Sequence, residues 1–155
     1  WMEQWDESVK FLSAELDSDA DEAEACLADA TGWKGWTMCS SPIMRKYMPE
    51  PEMPNLATLE DILSWLRDGP LSLREHPNVF REAILTYPKV YLSGSVGQNW
   101  KLALQTAPPE YKDPEDFQAK LLVDPSILQC TYDCSEEGCA SECGNCWVSY
   151  AMKSQ

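Results

Sequence analysis

Apolar residues recur at three- and four-residue spacing in several stretches of the chain, and this spacing predicts α-helices. The first such stretch puts five apolar side chains on one helix face, those of Met2, Trp5, Val9, Leu12 and Leu16. No run alternates apolar and polar residues in the way that a half-buried strand does. We therefore expect a mainly α fold, a compact bundle of about five to six short helices with a cysteine-rich C-terminal tail.

Capping residues and prolines predict where several helices begin and end. Ser18 and Asp21 have the spacing of a capping box ahead of an alanine-rich helix, and Gly32 suits its end. A further helix is predicted in ATLEDILSWLRDGP, with Thr58 and Asp61 as a capping pair. The helix in HPNVFREAILTYP is followed by KVYLSG, for which we predict a short strand or a bridge. SVGQNWKLALQTAPP and DPEDFQAKLLVDP complete the predicted set.

A connector, TGWKGWTMCSSPIMRKYMPEPEMPNL, separates the second predicted helix from the third, and its four prolines forbid one continuous helix. Its aromatic and methionine content suggests packing along the domain, or an exposed surface that binds a partner. Under the second interpretation, the candidate partner-binding residues are Trp33, Trp36 and Tyr47, with Trp147 from the tail.

The charge of the chain is strongly acidic, with 26 acidic residues against 12 lysines and arginines and a net charge of −14. Binding to nucleic-acid phosphates or to anionic membranes needs clustered cations, so we expect neither partner. A basic protein partner is allowed, because long-range attraction would speed its encounter with this chain. The charge also has a simpler interpretation, which is that it keeps the protein soluble.

Nothing in the sequence has the pattern of a catalytic centre. The chain has one histidine, His76, next to a proline where a helix is predicted to begin. The glycines of SGSVGQNW lack the spacing of a phosphate-binding loop. We therefore expect a binding protein and not an enzyme, with an enzyme built on an open zinc site as a minor alternative.

Five of the seven cysteines lie between Cys130 and Cys146, in CTYDCSEEGCASECGNC. Structural zinc sites use two close pairs of thiolates, and the predicted ligands are Cys134 with Cys139 and Cys143 with Cys146. Cys130 is a possible substitute ligand or a buried thiol. The cofactor predicted from this spacing is zinc.

Disulfides are the main alternative to zinc, and iron–sulfur ligation is a third interpretation, although its usual spacings differ. Seven is an odd number, so a fully oxidised chain leaves one thiol unpaired within the molecule. The first residues lack a basic stretch followed by an apolar one, and MEQWDESVKFL is typical of a cytosolic start. We therefore expect a cytoplasmic location, with secretion as the alternative. Cys26 and Cys39 are predicted to be buried thiols.

The stretch CSEEGCASECGNCW resembles the short cysteine-rich tail of small accessory proteins encoded in phages and prophages of Gram-positive bacteria. The resemblance covers fourteen residues and ends in a Cys-x-x-Cys-Trp element, formed here by Cys143, Cys146 and Trp147. It implies a cytosolic, zinc-stabilised tail and carries no information on the helical body.

These observations predict two regions, an acidic helical body over 1–129 and a cysteine-rich tail over 130–155 that packs on the body or extends it. The expected function is a small acidic protein-interaction module with a structural zinc-bound tail. It would act as a phage-type inhibitor or nucleic-acid mimic on a host protein. The alternative is a secreted, disulfide-bonded effector or toxin-like binding protein.

Overall fold

The structure, a computed structural model, describes residues 2–132 and 145–153. Over these residues the chain forms ten α-helices and no β-strand, which confirms the mainly α prediction. Six helices have ten residues or more, close to the number predicted, and four are shorter. The helices are α1 Met2–Leu16, α2 Ala20–Thr31, α3 Trp33–Met38, α4 Pro42–Arg45, α5 Leu56–Asp68, α6 Pro77–Thr86, α7 Pro88–Tyr91, α8 Val96–Gln105, α9 Pro114–Val123 and α10 Trp147–Lys153. Single turns of 3-10 helix occupy Leu73–Glu75 and Pro109–Tyr111, and a longer one occupies Pro125–Gln129.

Helix α2 begins one residue later than the predicted capping box would place it. Asp19, not Ser18, is the N-cap, and its carboxylate accepts a hydrogen bond from the backbone N–H of Glu22 at 2.7 Å. The end of the helix is as predicted. Gly32 has a φ of +91°, and its N–H donates to the carbonyl of Asp29 at 3.3 Å. Glycine reaches this left-handed conformation without the steric cost of a side chain.

Two further predictions of local structure were wrong. Helix α5 is capped by Asn55, which accepts from the N–H of Thr58 at 3.2 Å, so the helix starts before the predicted pair. Asparagine caps helices better than threonine does. The stretch predicted as a strand or bridge begins instead with helix α7, because Pro88 occupies its first turn and Tyr91 is buried beneath it.

One hydrophobic core joins helices from both halves of the chain. Its largest fully buried side chains are Leu12, Leu16, Leu27, Leu63, Leu66, Leu71, Leu73, Ile84, Tyr91, Phe117, Leu121 and Ile127. Trp147 of α10 belongs to the same core, so the described part of the tail packs on the helical body. In the part of the chain that the structure describes, no helix is long and apolar enough to span a membrane.

Two arginines connect α1 to the helices that pack beside it. The Arg67 guanidinium of α5 donates to the Glu15 carboxylate at 2.6 Å and lies over the Phe80 ring, 4.5 Å from its centroid. Arg81 of α6 donates to the carbonyl of Leu16 at 3.0 Å. That carbonyl lies at the end of α1, where helix carbonyls have no partner within the helix.

Candidate functional site

The connector folds into two short helices that follow directly from α2. The left-handed turn at Gly32 reverses the chain into α3, and Ser41 then caps α4 by accepting from the N–H of Met44 at 3.3 Å. Near the end of the connector, the backbone N–H of Glu52 donates to the carbonyl of Thr31 at 3.0 Å, which fixes this part of the connector to the end of α2. These bonds fix a segment whose prolines prevent longer helices.

The connector residues predicted to bind a partner lie at different depths. Trp33 and Trp36 are half-buried, and the Trp33 indole N–H donates to the carbonyl of Glu52 at 3.1 Å. The Arg45 guanidinium lies over the Trp36 ring at 5.4 Å from its centroid. Tyr47 is exposed to 82%. The tryptophans of the connector therefore pack against the chain, whereas its tyrosine faces solvent, and partner binding by these residues stays a prediction.

Tyr47 belongs to a group of exposed apolar side chains that we call the connector surface. Its other members are Met38, Ile43 and Met44, exposed to 75%, 67% and 59%. Exposed methionine and tyrosine suit contact with another protein, because methionine adapts its shape and tyrosine loses little entropy when it is immobilised. The sequence between Asp29 and Glu50 contains three cations and no acidic residue, so this surface is locally positive.

A groove of about 640 Å³ lies beside the connector, between α2, α5 and the segment that joins α7 to α8. Leu59, Ile62 and Leu92 contribute apolar side chains to it, and Glu50 and Glu52 contribute carboxylates. Its lining also includes Lys89 and Asp29, whose charged groups pair at 3.8 Å. This mixture suits a peptide segment as well as it suits a small molecule, so the groove does not select one ligand class.

Helices α1 and α2 form the most acidic part of the molecule, and we call them the acidic hairpin. Residues 2–29 contain ten acidic residues and one lysine, which gives this segment a net charge of −9. The two helices are joined by the Trp5 indole N–H, which donates to the Glu24 carboxylate at 3.4 Å. Eight of the ten acidic residues are exposed, namely Glu3, Asp6, Glu7, Asp17, Asp19, Asp21, Glu22 and Glu24.

Few cations neutralise the acidic hairpin within the described residues. Ion pairs connect Glu15 to Arg67 at 2.6 Å and Glu22 to Arg81 at 3.8 Å, and Asp29 pairs with Lys89. No ion pair is formed by the carboxylates of Glu3, Asp6 or Glu7 in the same described part of the chain. Most of the negative charge of the hairpin therefore faces solvent.

The second candidate site is the junction where the tail meets the body. Of the four predicted zinc ligands, Cys134, Cys139 and Cys143 lie outside the described residues, and Cys146 is buried with 1% exposure at the start of α10. Its sulfur accepts a hydrogen bond from the N–H of Ser149 at 3.3 Å. The residues that the structure describes contain no group of three or more potential metal ligands, so they leave the predicted ligand set untested.

Cys130, the doubtful fifth cysteine, is fully buried at the end of the Pro125–Gln129 turn. The backbone N–H of Tyr132 donates to the carbonyl of Asn145 at 3.0 Å, which brings the chain after Cys130 next to the chain before Cys146. Burial, then the nearby Cys146 and Asp124, raises the pKa of the Cys130 thiol to about 12. Sequence reasoning missed this proximity, because fifteen residues lie between the two cysteines and no local pattern connects them.

Trp147 is the anchor of α10 and is only 7% exposed. Its indole N–H donates to the carbonyl of Ala103 at 2.8 Å, and its ring stacks on Tyr111 with 5.6 Å between centroids. Phe117 and Tyr150 meet the ring edge to face at 6.1 and 5.5 Å. Partner binding by Trp147 stays a prediction, and in the structure its ring contacts lie within the chain.

Tyr150 adds a polar contact at the same junction. Its hydroxyl donates to the Asp124 carboxylate at 2.6 Å. Burial acts to raise the pKa of Asp124, but hydrogen bonds from Ser126 and Tyr150 outweigh it and hold this pKa below its ordinary value. The carboxylate is therefore stabilised in its charged form at the point where the tail docks.

Cys26, Cys39 and His76 lie outside both candidate sites, and each has its own local environment. Cys26 is buried, as predicted, its thiol donates to the carbonyl of Ile84 at 3.4 Å, and burial raises its pKa to about 12. Cys39 is only half-buried, which corrects the prediction for that residue, because it lies in the exposed connector. His76 precedes α6 at its N-cap position.

No protein-family model, curated protein or solved structure matches this chain.

Proposed function

We propose that this chain is a small acidic protein-interaction module that binds a basic surface of another protein through the acidic hairpin. The observation that supports this best is the concentration of charge, a net −9 within residues 2–29, carried mainly by exposed side chains. Two packed helices hold these carboxylates on a rigid scaffold. Such an array attracts a basic partner over a distance of about one Debye length, roughly 8–10 Å at physiological salt.

A basic groove that normally holds nucleic acid is the natural target of such a surface. The phage-type resemblance of the tail supports an inhibitor of a host protein that handles nucleic acid, with the hairpin taking the place of the phosphates. Direct binding of nucleic acid to this chain is not part of the proposal, because the charge has the wrong sign. A binding role needs no catalytic centre.

The connector surface would supply the apolar part of the interface. Tyr47 and Met44 can lose exposed apolar area on binding, whereas charges at the rim of an interface mainly set the association rate and its specificity. Lys34, Arg45 and Lys46 make this region unsuitable for a basic surface. The partner should therefore meet the hairpin with cations and the connector surface with apolar or acidic groups.

We further propose that the tail is held by a structural zinc ion bound by Cys134, Cys139, Cys143 and Cys146. Thiolate ligands need a reducing environment, which favours a cytoplasmic location over secretion. The ion would fold the tail so that α10 docks on the body, and it would not take part in chemistry. The contacts of Trp147 with the body support such a docked tail.

The interaction proposal is tested with two variants of equal net charge. One removes four charges from the acidic hairpin by Glu3→Gln, Asp6→Asn, Glu7→Gln and Asp21→Asn. The matched control removes four exposed charges elsewhere by Glu60→Gln, Asp61→Asn, Glu110→Gln and Asp116→Asn. Proteins that co-purify with the wild-type chain from the host extract are quantified by mass spectrometry at several salt concentrations.

We expect the hairpin variant to lose the main captured protein, the control variant to keep it, and the captured amount to fall steeply with salt. The captured protein should also release a bound oligonucleotide when the wild-type chain is added. Equal losses in the two variants would mean that only net charge matters, and binding that is insensitive to salt would rule out electrostatic mimicry.

A further inference from the structure

We propose that the groove beside the connector binds a short peptide segment of the basic partner, one that places a lysine or arginine next to an apolar side chain. The inference rests on the proposed function, which supplies a basic protein as the partner, and it adds the place where a segment of that protein docks. The groove has a volume of about 640 Å³. Ligand sites commonly have volumes of roughly 300–1,000 Å³, so the groove accepts a few residues of a chain and not a folded domain.

The charge of the groove selects a cationic occupant. Its lining contains three acidic residues, Asp29, Glu50 and Glu52, and one basic residue, Lys89, which gives a net charge of −2. Glu50 and Glu52 are exposed, and their carboxylates form no ion pair within the described residues. None of the three cations between Asp29 and Glu50 lines the groove. A cleft with an excess of one sign of charge attracts ligands of the opposite sign.

The connector side of the groove also offers more hydrogen-bond acceptors than donors. Pro49 and Pro54 have no backbone N–H, and the N–H of Glu52 already donates to the carbonyl of Thr31. Across the part of the chain that the structure describes, the carbonyls of Pro49 and Glu50 accept no hydrogen bond. Lysine and arginine side chains carry donors only, so they complement this side of the groove in hydrogen bonding as well as in charge.

The rest of the lining is apolar and suits the second part of the proposed segment. Leu59 and Ile62 of α5 are each 5% exposed, and Leu92, which follows α7, is 6% exposed. Met48 and Met53 are half-buried on the connector side. Because methionine adapts its shape to what it contacts, an apolar side chain next to the cation can pack against these residues.

Helix α2 connects the groove to the acidic hairpin. Residues 29–31 at its end line the groove, and the exposed carboxylates of Asp21, Glu22 and Glu24 lie earlier in the same helix. A basic partner that contacts the hairpin therefore has the groove beside it. The lining alone suits a small molecule equally well, and it is this continuity with the hairpin that favours a segment of the partner.

Lys89 occupies part of the space that the incoming cation would use. Its ammonium lies 3.8 Å from the Asp29 carboxylate, and its side chain is 74% exposed. Exposed ion pairs contribute little to stability, so another cation can replace Lys89 beside Asp29. Removing the charge of Lys89 should therefore strengthen the binding of a basic segment, which is a gain that a folding defect would not produce.

The experiment uses the full chain and a displayed library of short random peptides. Binders are selected at physiological salt, synthesised with a fluorophore, and measured by fluorescence anisotropy to obtain the Kd. We expect the selected sequences to combine a lysine or arginine with an adjacent apolar residue. Selection of acidic sequences, or of sequences without a cation, would overturn the inference.

Two double variants of equal net charge test the acidic side chains. Glu50→Gln with Glu52→Gln removes two charges from the groove, and Glu110→Gln with Asp116→Asn removes two exposed charges outside it. The groove variant should weaken peptide binding by about three- to tenfold, as the loss of two partly exposed ion pairs would. The control should change it by less than about twofold, because distant charges are screened at this salt concentration. Equal effects of the two variants would contradict the proposed site.

A second pair of variants tests the competition with Lys89. Lys89→Gln should tighten peptide binding by about two- to fivefold. Lys101→Gln makes the same charge change at an exposed position of α8 outside the groove and should have less than about half of that effect. Weaker binding by Lys89→Gln would mean that the peptide does not approach Asp29.

Glycine signals in amide NMR spectra locate the bound peptide directly. Gly32, Gly35 and Gly94 line the groove, whereas Gly69 follows α5 and lies outside the lining. The peptide should shift the three groove signals and leave that of Gly69 in place. Shifts confined to the acidic hairpin would place the peptide elsewhere and overturn the groove as its site.

The remaining outcomes separate the peptide segment from other occupants. An equal affinity for N-acetyl-lysine amide would show a site for a small cation. A dimer of the chain that dissociates when the peptide is added would assign the groove to a second copy. Either result overturns the inference.

Failure of the groove can be distinguished from failure of the proposed function. If no peptide binds while the hairpin variant still loses the main captured protein, only the groove is wrong. If the hairpin variant and its control capture that protein equally while the peptide binds the groove, the hairpin interface is wrong and the groove stands.

Discussion

Replacing Trp147 with alanine should undock α10 and destabilise the protein. The ring is 7% exposed, stacks on Tyr111 and meets two further aromatic rings edge to face. Its N–H donates to the carbonyl of Ala103, which lies in the last turn of α8 and has no partner within that helix. The substitution therefore removes an aromatic cluster and a hydrogen bond together.

The expected magnitude follows from the buried area. A tryptophan side chain buries roughly 200 Å², and at about 25 cal/mol per Å² this corresponds to about 5 kcal/mol. Measured losses for such truncations are about 3–5 kcal/mol, which for a chain of this size lowers the Tm by at least about 6 °C. Urea unfolding followed by circular dichroism gives the free energy of unfolding, and hydrogen exchange shows whether α10 opens separately.

Two variants at the same helix test the reasoning. Val148→Ala removes methyl groups from the next residue, which is 42% exposed, and should change the free energy of unfolding by less than about 0.5 kcal/mol. Trp147→Phe keeps a ring but removes the N–H, so its loss of unfolding free energy should lie between those of Val148→Ala and Trp147→Ala. The missing hydrogen bond should contribute about 1 kcal/mol of that loss. A loss below about 1 kcal/mol for Trp147→Ala would refute the docking of α10 on the body.

Two other predictions concern the backbone of α5 and the pH dependence of the tail. Gly69→Ala should cost about 1–3 kcal/mol, because the new Cβ would lie 2.4 Å from the carbonyl oxygen of Trp65, whereas Gly94→Ala meets nothing within 4 Å and should be neutral. Thermal unfolding of the two variants checks this, and equal Tm values would contradict it. The lowered pKa of Asp124 means that its charged form stabilises the folded state above the unfolded pKa of about 3.9, and that this contribution is lost as pH falls through the folded value. The stability difference between the wild type and Asp124→Asn should therefore shrink below about pH 4 in a pH series of urea unfolding, and a constant difference would show that Asp124 acts without its charge.

The periodic helices could be predicted from the sequence because the spacing of apolar residues within each helix shows which face is buried. In α1, Val9, Leu12 and Leu16 all proved buried, as their common face predicted. Helix α7 could not be predicted, since four residues are too few to show a period and its stability comes from the burial of Tyr91. The hydroxyl of that tyrosine donates to the carbonyl of Pro125 at 2.7 Å, which is a contact between distant parts of the chain.

The candidate sites were predictable to the extent that they depend on composition. The acidic character of the first two helices and the exposure of part of the connector follow from charge and proline content. The inward position of Trp147 and the approach of Cys130 to Cys146 could not be predicted from composition, because both depend on where α8 ends. The Ala103 carbonyl in the last turn of α8 accepts a hydrogen bond from Trp147. Thr106, the first residue after the helix, donates from its hydroxyl to the carbonyl of Cys130.

The contacts that attach the acidic hairpin to the body explain how it can stay folded with so much charge. Arg67 and Arg81 bind its inner side, through Glu15, Glu22 and the terminal carbonyl of α1. These cations stabilise the junction without reaching the carboxylates of the outer side. The carboxylates of Glu3, Asp6 and Glu7 form no ion pair within the described residues, so replacing them removes none of these junction contacts. The two arginines therefore attach the hairpin to the body, whereas the exposed carboxylates of its outer side stay accessible to solvent.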